Sequence, residues 1–293
     1  MSHSLTLNYE KSLNFESFGD GEPCVLGIDE AGRGPVLGPM VYACAISPLA
    51  MNKQFLEIGF MDSKTLTDKK RAVLFDKMKS DANNKVVSYC FVEISARHLS
   101  SRMLSRFSKR SLNEISHDSA VALIRQALDS GINVTEVYVD TVGPKDTYEA
   151  KLKKFFPKLK ITVSEKADSL FPIVSAASIV AKVTRDTRLQ EFVFVENHLN
   201  EKKGIYGSGY PGDAVTQKYL IDNIHPIFGF NSMVRYSWKP AIKGLNKAAV
   251  KCTWVDNTNQ QKISSFFQVK AGNRVIPRCK YFNDRKLESA VNF

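Results

Sequence analysis

The stretch GIDEAGRGPVLGP, residues 27–39, places two adjacent carboxylates directly after a short apolar run. Asp29 and Glu30 are followed by an arginine that stands between two glycines. Acids are costly to bury unless a cation pairs with them, and glycines around a single arginine indicate backbone that approaches a partner closely. We therefore expect a buried strand over 25–29 that ends at a functional site.

The composition favours a folded protein with a polyanionic partner. The chain has 293 residues, of which 43% are hydrophobic and 24% charged, so a packed core is expected. Its formal net charge is +11 and its isoelectric point about 9.3. Such a balance favours nucleic acid first and an acidic membrane surface second. A soluble protein that is basic for no such reason is the alternative.

The cysteines and the N-terminal segment bear on the compartment. The five cysteines form no CxxC pair and are odd in number, which argues against a zinc site and a disulfide framework. A reducing compartment fits best. The first 23 residues have no apolar signal core, and no run of 18 apolar residues occurs. We expect an intracellular, soluble protein with no membrane partner.

Further runs with strand character follow the opening stretch. Runs over 41–46 and 85–94 predict, together with the first strand, an antiparallel meander. Two further β-rich runs end at Asp140 and at Asp168. Each of the acids discussed so far is therefore expected at the carboxyl end of a strand.

Two helices are predicted among the later strands. Helical spacing over 115–130 is followed by Gly131, where a C-cap glycine belongs. A second, longer helix is expected over 171–191, with several small residues for close packing. Because strand and helix signals alternate there, the fold class is α/β, a mixed β-sheet flanked by helices.

Four acids are candidates for a metal site. In helix-flanked sheets ligands gather at the carboxyl ends of strands, so Asp29, Glu30, Asp140 and Asp168 are expected to converge. Four carboxylates at close range need cations, and a set of oxygen ligands without thiol or imidazole suits Mg²⁺ or Mn²⁺. Two such ions are the usual apparatus for in-line attack on a phosphodiester.

Each of the later acids also has a purely structural interpretation. Asp140 precedes the turn-forming segment 141–144, where an aspartate is common. Asp168 is placed where it could cap the following helix. The pair Asp29 and Glu30 is harder to explain in this way, because a cap needs one acid.

Several long segments, taken together, resemble the type 2 ribonuclease H family (ribonuclease HII), and within it the catalytic subunit of the eukaryotic enzyme. They occur in family order over 27–43, 61–66, 115–120, 137–144, 165–186 and 207–213, with a tail segment at 281–290. The resemblance implies an RNase H-like fold with a C-terminal helical extension and a basic tail. The family's catalytic, metal-binding acids fall on Asp29, Glu30, Asp140 and Asp168 without substitution.

The resemblance also implies an activity. Family members cleave RNA in RNA/DNA hybrids and at single ribonucleotides embedded in duplex DNA, leaving 5′-phosphate and 3′-hydroxyl ends. They serve ribonucleotide removal and RNA primer removal in DNA replication and repair. A nuclear location and two non-catalytic accessory subunits in a heterotrimer follow as expectations.

Substrate-binding residues follow from the same resemblance. The backbone of Gly32, Arg33 and Gly34 is expected to contact the ribose 2′-hydroxyl, which distinguishes RNA from DNA, and the arginine also to face phosphate. Tyr210 is expected to stack on the sugar beside the scissile bond. Phosphate-facing roles are implied for Lys64, Lys182 and Arg185. Without the resemblance, these residues suit tight turns and solvated helix surfaces.

Two groups near the predicted helix over 115–130 stay open. The cations Arg102, Arg106, Lys109 and Arg110 form a run that either lies on the DNA strand or is a solvated face. His117 and Asp118 do not face each other on a helix, so we interpret them as structural residues or as hydrogen bonders on the DNA side.

The C-terminal part is strongly basic and carries a short motif. After residue 241 there are ten Lys or Arg against three Asp or Glu, which gives +7 of the total +11. Residues 260–267, QQKISSFF, match a sliding-clamp-binding pattern through Gln260, Ile263, Phe266 and Phe267. The alternative is that the two phenylalanines pack on accessory subunits or on the core.

We divide the chain into an N-terminal segment (1–22), an RNase H-like catalytic domain (23–225), a C-terminal extension (226–250) and a basic tail (251–293). Two rival functions are considered. Another RNase H-like nuclease, such as a DNA nuclease or a resolvase, is disfavoured by the sugar-reading features. A catalytically silent hybrid-binding subunit is disfavoured by the four intact acids.

Overall fold

The structure, a computed structural model, describes residues 7–60, 66–196 and 205–251. In this part of the chain one mixed sheet has the strand order β1-β4-β3-β2-β5-β6. The strands are β1 (Asn8–Lys11), β2 (Cys24–Ala31), β3 (Met40–Pro48), β4 (Ser88–Ile94), β5 (Val134–Asp140) and β6 (Lys160–Ser164).

The strand pairing confirms the predicted sheet. Strands β2, β3 and β4 form the expected antiparallel meander, whereas β5 and β6 continue the sheet in parallel from β2. The opening stretch therefore lies at the junction of the antiparallel and parallel halves. At that junction β2 has a neighbour on each side and is buried along most of its length.

Helices cover both faces of the sheet. They are α1 (Asn52–Ile58), α2 (Asp68–Lys79), α3 (Ala96–Leu104), α4 (Leu112–Asp129), α5 (Lys145–Phe155), α6 (Ala167–Leu170), α7 (Pro172–Gln190), α8 (Ala214–Asp222) and α9 (Lys239–Ala248). The two predicted helices are confirmed as α4 and α7. Helices α1, α2 and α3 are not predicted by the sequence pattern.

The ends of α4 follow from local chemistry. Ser111 and Glu114 form a reciprocal capping box at its start, which satisfies two backbone donors. Gly131 follows its end with φ +82°, a conformation that glycine adopts without strain. Helix α4 packs on β3 and β4, and its buried residues join one large apolar cluster.

Helix α7 packs very closely on the other face. A β-carbon on Gly27 of β2 would lie 2.5 Å from the backbone of Ile173, so only glycine permits this approach. The predicted small residues of α7, among them Ser178 and Ala181, are fully buried there. This contact brings one face of α7 over the carboxyl end of β2.

A third cluster supports the segment after the opening stretch. Val36 and Leu37 pack with apolar residues of α8, of α9 and of the segment between them. Residues up to Val250 form one compact unit. Within the described ranges, no helix combines the length and the apolar character needed to cross a membrane.

Candidate active site

The two acids of the opening stretch face opposite sides of the sheet. Successive side chains of a strand alternate, and the register pairs Asp29 with Ala43 and Glu30 with Tyr42. Asp29 points toward α7, where it interacts with Ser178 and Lys182. Glu30 shares the other face with Tyr42. Adjacent acids on one strand therefore flank the end of the sheet from two sides.

Asp140 ends the neighbouring parallel strand. Because Ile28 pairs with Val139, the residues that follow them, Asp29 and Asp140, lie side by side at the carboxyl edge. One carboxylate oxygen of Asp140 accepts the backbone N–H of Ala167 at 2.8 Å. Asp140 thereby connects the edge of the sheet to the short helix α6.

The expectation that Asp168 stands at a strand end is wrong. Strand β6 ends at Ser164, and Asp168 is a buried residue in the first turn of α6. The N-cap of α6 is Lys166, in a left-handed conformation, and the N-cap of the following helix α7 is Phe171, so the capping alternative for Asp168 is also wrong. Its neighbour Ala167 binds Asp140 through the backbone N–H.

Three of the acids are coupled electrostatically. Burial, followed by the nearby Asp140, raises the pKa of Asp29 to about 7. Desolvation, followed by Asp29, raises the pKa of Glu30 to about 8, although Glu30 remains partly exposed. The cations Lys182 and Arg33 lower these pKa values but do not outweigh burial and mutual repulsion. Ionising this cluster fully would require additional positive charge.

The chemistry of the acids suits a divalent metal ion, but the spacing of their side chains in this structure does not form a metal site. No three His, Cys, Asp or Glu side chains among the described residues lie close enough to form a metal site as they stand. One carboxylate oxygen of Asp29 accepts the Glu30 N–H at 2.7 Å, and one carboxylate oxygen of Asp140 accepts the Ala167 N–H. The set is nevertheless all oxygen and repulsive without a cation, which is typical of Mg²⁺ or Mn²⁺ sites.

A buried arginine orients the backbone after the acids. Arg235 is fully buried and donates to the carbonyls of Gly32 at 2.7 Å, Arg33 at 3.3 Å and Gly38 at 2.8 Å. The indole N–H of Trp238 donates to the Gly34 carbonyl at 3.2 Å. In a trans peptide the N–H points away from the carbonyl. The N–H groups of Arg33 and Gly34 are therefore directed away from Arg235.

Sequence reasoning missed Arg235 and Trp238. They stand in VRYSW, residues 234–238, a run that the sequence pattern places only in a C-terminal extension. Burial lowers the pKa of Arg235 to about 9, with a further contribution from Arg185. The signal available in the sequence was a lone arginine within an apolar and aromatic run.

Gly32 and Gly34 differ in how tightly their surroundings restrict a side chain. Gly32 has φ +78°, and a β-carbon there would lie 2.7 Å from the carbonyl oxygen of Pro39. Gly34 is exposed, and a β-carbon there would lie 3.4 Å from the ring of Tyr210. The turn therefore requires glycine at position 32, whereas a β-carbon at position 34 would make only an ordinary contact with the tyrosine.

Arg33 is held by the start of α4. Its guanidinium donates to the Ser116 hydroxyl at 2.6 Å and to the Asn113 side-chain carbonyl. Asn113 also lies against the turn after Asp140, since a β-carbon on Gly143 would be 2.7 Å from its amide nitrogen. The phosphate contact expected for Arg33 stays a prediction.

His117 and Asp118 have structural partners. The ring N–H of His117 donates to the Val142 carbonyl at 3.0 Å, and the ring stacks on Tyr148 with centroids 3.9 Å apart. Asp118 forms an exposed ion pair with Lys151 at 3.0 Å. These contacts support the structural interpretation of both residues.

Tyr210 lies on a turn attached to the opening stretch. The Gly209 carbonyl accepts the N–H groups of Val36 at 2.8 Å and Leu37 at 3.3 Å. The Tyr210 side chain is 46% exposed, and the guanidinium carbon of Arg185 lies 5.5 Å from its ring centroid. An exposed ring is thus fixed beside Gly34 and backed by a cation.

The Gly-Arg-Gly segment, Tyr210 and several charged side chains line one open cavity of about 410 Å³. Its wall contains Glu30, the Gly32–Gly34 backbone, Lys182, Arg185 and Tyr210. Arg71 of α2 also lines it, a residue that sequence reasoning missed although it follows two lysines in TDKKR, residues 67–71. Lys64 lies outside the described residues, as do Gln260, Ile263, Phe266 and Phe267 of the tail motif.

Most of the chain matches one protein family. Residues 26–241 match the family model for Ribonuclease HII, and the chain belongs to this family. It is therefore a ribonuclease H, a hydrolase, and the expected fold class is confirmed.

Two eukaryotic relatives point to the same component of one enzyme. The chain is similar to the A subunit of ribonuclease H2 from Caenorhabditis elegans, with 49% identity covering 99% of this chain and 100% of that one. The corresponding protein of Homo sapiens is 45% identical, over 92% of this chain and 91% of that one.

Two solved structures are similar as well. The ribonuclease H2 of Pyrococcus horikoshii has a TM-score of 0.63 and 32% identity, covering 76% of this chain and 98% of that one. The RNase HII in a PCNA:RNase HII complex from Archaeoglobus fulgidus has a TM-score of 0.55 and 29% identity, covering 68% of this chain and 85% of that one.

Proposed function

We propose that this ribonuclease H cleaves the RNA strand of RNA/DNA hybrids and also cleaves duplex DNA at single embedded ribonucleotides. The products would carry 5′-phosphate and 3′-hydroxyl ends. The observation that carries the proposal is the position of a rigid, outward-facing Gly-Arg-Gly backbone next to the coupled acids at one edge of the sheet.

Asp29, Glu30, Asp140 and Asp168 would hold two Mg²⁺ or Mn²⁺ ions. When bound, the ions would supply the positive charge that favours attack of water on the phosphodiester and departure of the 3′-oxygen. The residues of the chain set the conditions for this chemistry. Ser178 and Lys182 orient Asp29 from α7, and Ala167 orients Asp140 from α6.

The ribose would be recognised by backbone rather than by a side chain. The N–H groups of Arg33 and Gly34 point away from Arg235 and would donate to the 2′-hydroxyl oxygen of a bound ribose. Tyr210 stands next to Gly34 and would stack on the neighbouring sugar. A ribose flanked by deoxyribose satisfies both contacts, which explains cleavage at one embedded ribonucleotide.

Cations around the cavity would hold the phosphates of the cleaved strand. Lys182, Arg185 and Arg71 line it from two helices, and Lys64 is proposed to join them. Phosphate contacts fix the register of a nucleic acid without reading sequence. They suit an enzyme that recognises a sugar rather than a base.

We further propose a heterotrimer with two non-catalytic subunits that acts in the nucleus, in replication and repair. The eukaryotic relatives are each named as one lettered component of ribonuclease H2, which supports an enzyme built from several different chains. A sliding clamp is a further proposed partner of the motif at 260–267, since an archaeal relative is in complex with PCNA. Calorimetry of a peptide covering 259–269 against a clamp tests this, with a double alanine variant of Phe266 and Phe267 as the control.

The activity is tested with four matched duplexes: an all-DNA duplex, one with a single ribonucleotide, an RNA/DNA hybrid and a duplex of RNA alone. With Mg²⁺, the second and third should be cut, with ends mapped as 5′-phosphate and 3′-hydroxyl; with a chelator, none should be cut. Cleavage of the all-DNA duplex would favour another RNase H-like nuclease. Binding without cleavage, even with accessory subunits present, would favour a silent subunit.

A further inference from the structure

The loop between α3 and α4 presents an aromatic ring to solvent. Phe107 is fully exposed, and Leu104 at the end of α3 is about half exposed. A large apolar side chain in this position contributes nothing to the core. A single exposed apolar residue needs no special explanation, so the ring becomes informative only together with the groups around it.

The loop is organised by its own hydrogen bonds. The Ser105 hydroxyl oxygen accepts the backbone N–H of Ser108 at 3.1 Å. The backbone N–H of Arg110 donates to the Arg102 carbonyl at 3.0 Å. These bonds close the loop at its base and hold Phe107 at its tip, so the ring is displayed without having to be ordered by the partner.

The charges around the ring have one sign. Four exposed cations, and no acid, occur between residues 102 and 110: Arg102, Arg106, Lys109 and Arg110. The acid that follows, Glu114, pairs with Arg110 at 3.3 Å. An exposed ring within a cluster of cations is complementary to a polyanion that also offers apolar faces, which describes nucleic acid.

Both ends of the loop are attached to elements that hold the Gly-Arg-Gly backbone. On the α3 side, the buried Ser100 hydroxyl accepts the N–H of Tyr236, the residue after Arg235. On the α4 side, Asn113 and Ser116 accept bonds from Arg33. The loop is thus connected from both ends to the segment that is proposed to recognise the ribose.

We propose that Phe107 and the cations of this loop form a second contact with the duplex, outside the cleavage cavity. The ring lies against sugars and base edges in a groove, while the cations bind the flanking phosphates. This inference rests on the proposed function for the presence of a duplex in the cavity. It assigns to Phe107 a role in affinity and in the length of duplex recognised.

Equilibrium binding of the full-length protein in chelator tests the proposal without interference from cleavage. Two RNA/DNA hybrids are compared, one that ends at the cavity and one that extends past the loop. Phe107→Ala should weaken binding of the longer hybrid by about 5- to 100-fold, the range typical of a lost aromatic contact. Binding of the shorter hybrid should not change, and Phe107→Trp should restore the longer one.

Two control variants separate the contributions. Phe228→Ala removes a ring that is 80% exposed elsewhere and should leave both affinities unchanged. Lys109→Ala should lower the slope of log affinity against log salt by about one for the longer hybrid.

Two results would overturn the proposal. One is equal affinity of wild type and Phe107→Ala for the longer hybrid. The other is normal hybrid binding by Phe107→Ala together with loss of accessory subunits on purification, which would make the loop a protein-binding surface. If the wild type binds but cleaves nothing in Mg²⁺, the proposed function fails. The comparison of hybrid affinities between wild type and Phe107→Ala still tests the second contact.

Discussion

At the scale of single residues, the candidate site depends on a buried arginine that orients its backbone. Arg235 is fully buried and binds the carbonyls of Gly32, Arg33 and Gly38, in the segment that is proposed to recognise the ribose. Its planar fork donates in several fixed directions, which the point charge of lysine does not reproduce. The orientation of the 32–34 backbone thus depends on a residue that is distant from it along the chain.

We expect Arg235→Lys to damage recognition as well as stability. Carbonyls left without a donor in a buried site cost about 1–3 kcal/mol each, so the melting temperature should fall. At a temperature where the variant is folded, KM for a single embedded ribonucleotide should rise. The exposed Arg125 provides the control, since Arg125→Lys should change neither quantity. An unaltered KM in the folded Arg235→Lys protein would contradict the positioning role.

The acids should make the metal-free protein less stable as pH rises. The folded-state pKa of Asp29, about 7, lies above its ordinary value of 3.8. Between these values the folded state binds more protons than the unfolded state, so the free energy of unfolding decreases with pH. The loss is complete above about pH 7.

In chelator, Asp29→Asn should therefore melt above the wild type at pH 8 and close to it near pH 4. Each kcal/mol gained corresponds to roughly 2–4 °C for a domain of this size. The exposed Asp222 offers a matched control, because Asp222→Asn should shift the wild-type profile little. Equal melting temperatures of Asp29→Asn and wild type at pH 8 would show that burial and repulsion of the ionised Asp29 do not destabilise the folded protein.

At the scale of elements, the contact between α7 and β2 positions the acids. Gly27 permits the helix backbone to rest directly on the strand. Ser178 and Lys182, four residues apart, lie on one helix face and meet Asp29. A displaced helix would carry both away from the acid.

Gly27→Ala should be strongly destabilising, because its methyl group would lie 2.5 Å from backbone atoms that cannot rotate away. We expect a loss of at least about 1–3 kcal/mol, measured by denaturant unfolding. Gly212 is the matched position, since a β-carbon there meets nothing within 4 Å. A Gly27→Ala protein as stable as Gly212→Ala would mean that the helix is not seated on the strand.

The elements also show what a single sequence allows. Strand β2 and helix α7 were predictable because apolar runs and small-residue spacing reflect burial directly. Helix α2 was missed because its polar sequence buries only Leu74, Phe75 and Met78. Asp168 was misplaced because the ending of β6 at Ser164 depends on a left-handed residue, Lys166, which the sequence does not signal.

The same limit applies to the site. The acids and the glycines are visible as a cluster in sequence, whereas Arg235, Trp238 and Arg71 reach the site only through tertiary packing. Arg235 and Trp238 bind backbone carbonyls that are distant along the chain, and no local pattern records such contacts. Arg71 has a local partner, Asp68, but its place on the cavity wall depends on tertiary packing.

At the scale of the whole molecule, the net charge of +11 should act through phosphate contacts. Affinity for a duplex should fall steeply with salt, because bound counterions are released at each contact. Lys182→Ala should reduce the slope of log affinity against log salt by about one. Lys53→Ala, at an exposed position of α1, is the control and should leave the slope unchanged. A flat salt dependence of the wild type would argue against a broad basic footprint.

The central claim is that the acids at the edge of the sheet hold metal for cleavage rather than binding the substrate itself. Single-turnover cleavage and equilibrium binding of one substrate, duplex DNA with a single ribonucleotide, test it with wild type and Asp140→Asn. The account predicts that the cleavage rate in Mg²⁺ falls by about a hundredfold or more, since an ion held there is worth several kcal/mol. Affinity for the uncleaved duplex should remain within a few-fold. Cleavage by Asp140→Asn at close to the wild-type rate would contradict the assignment.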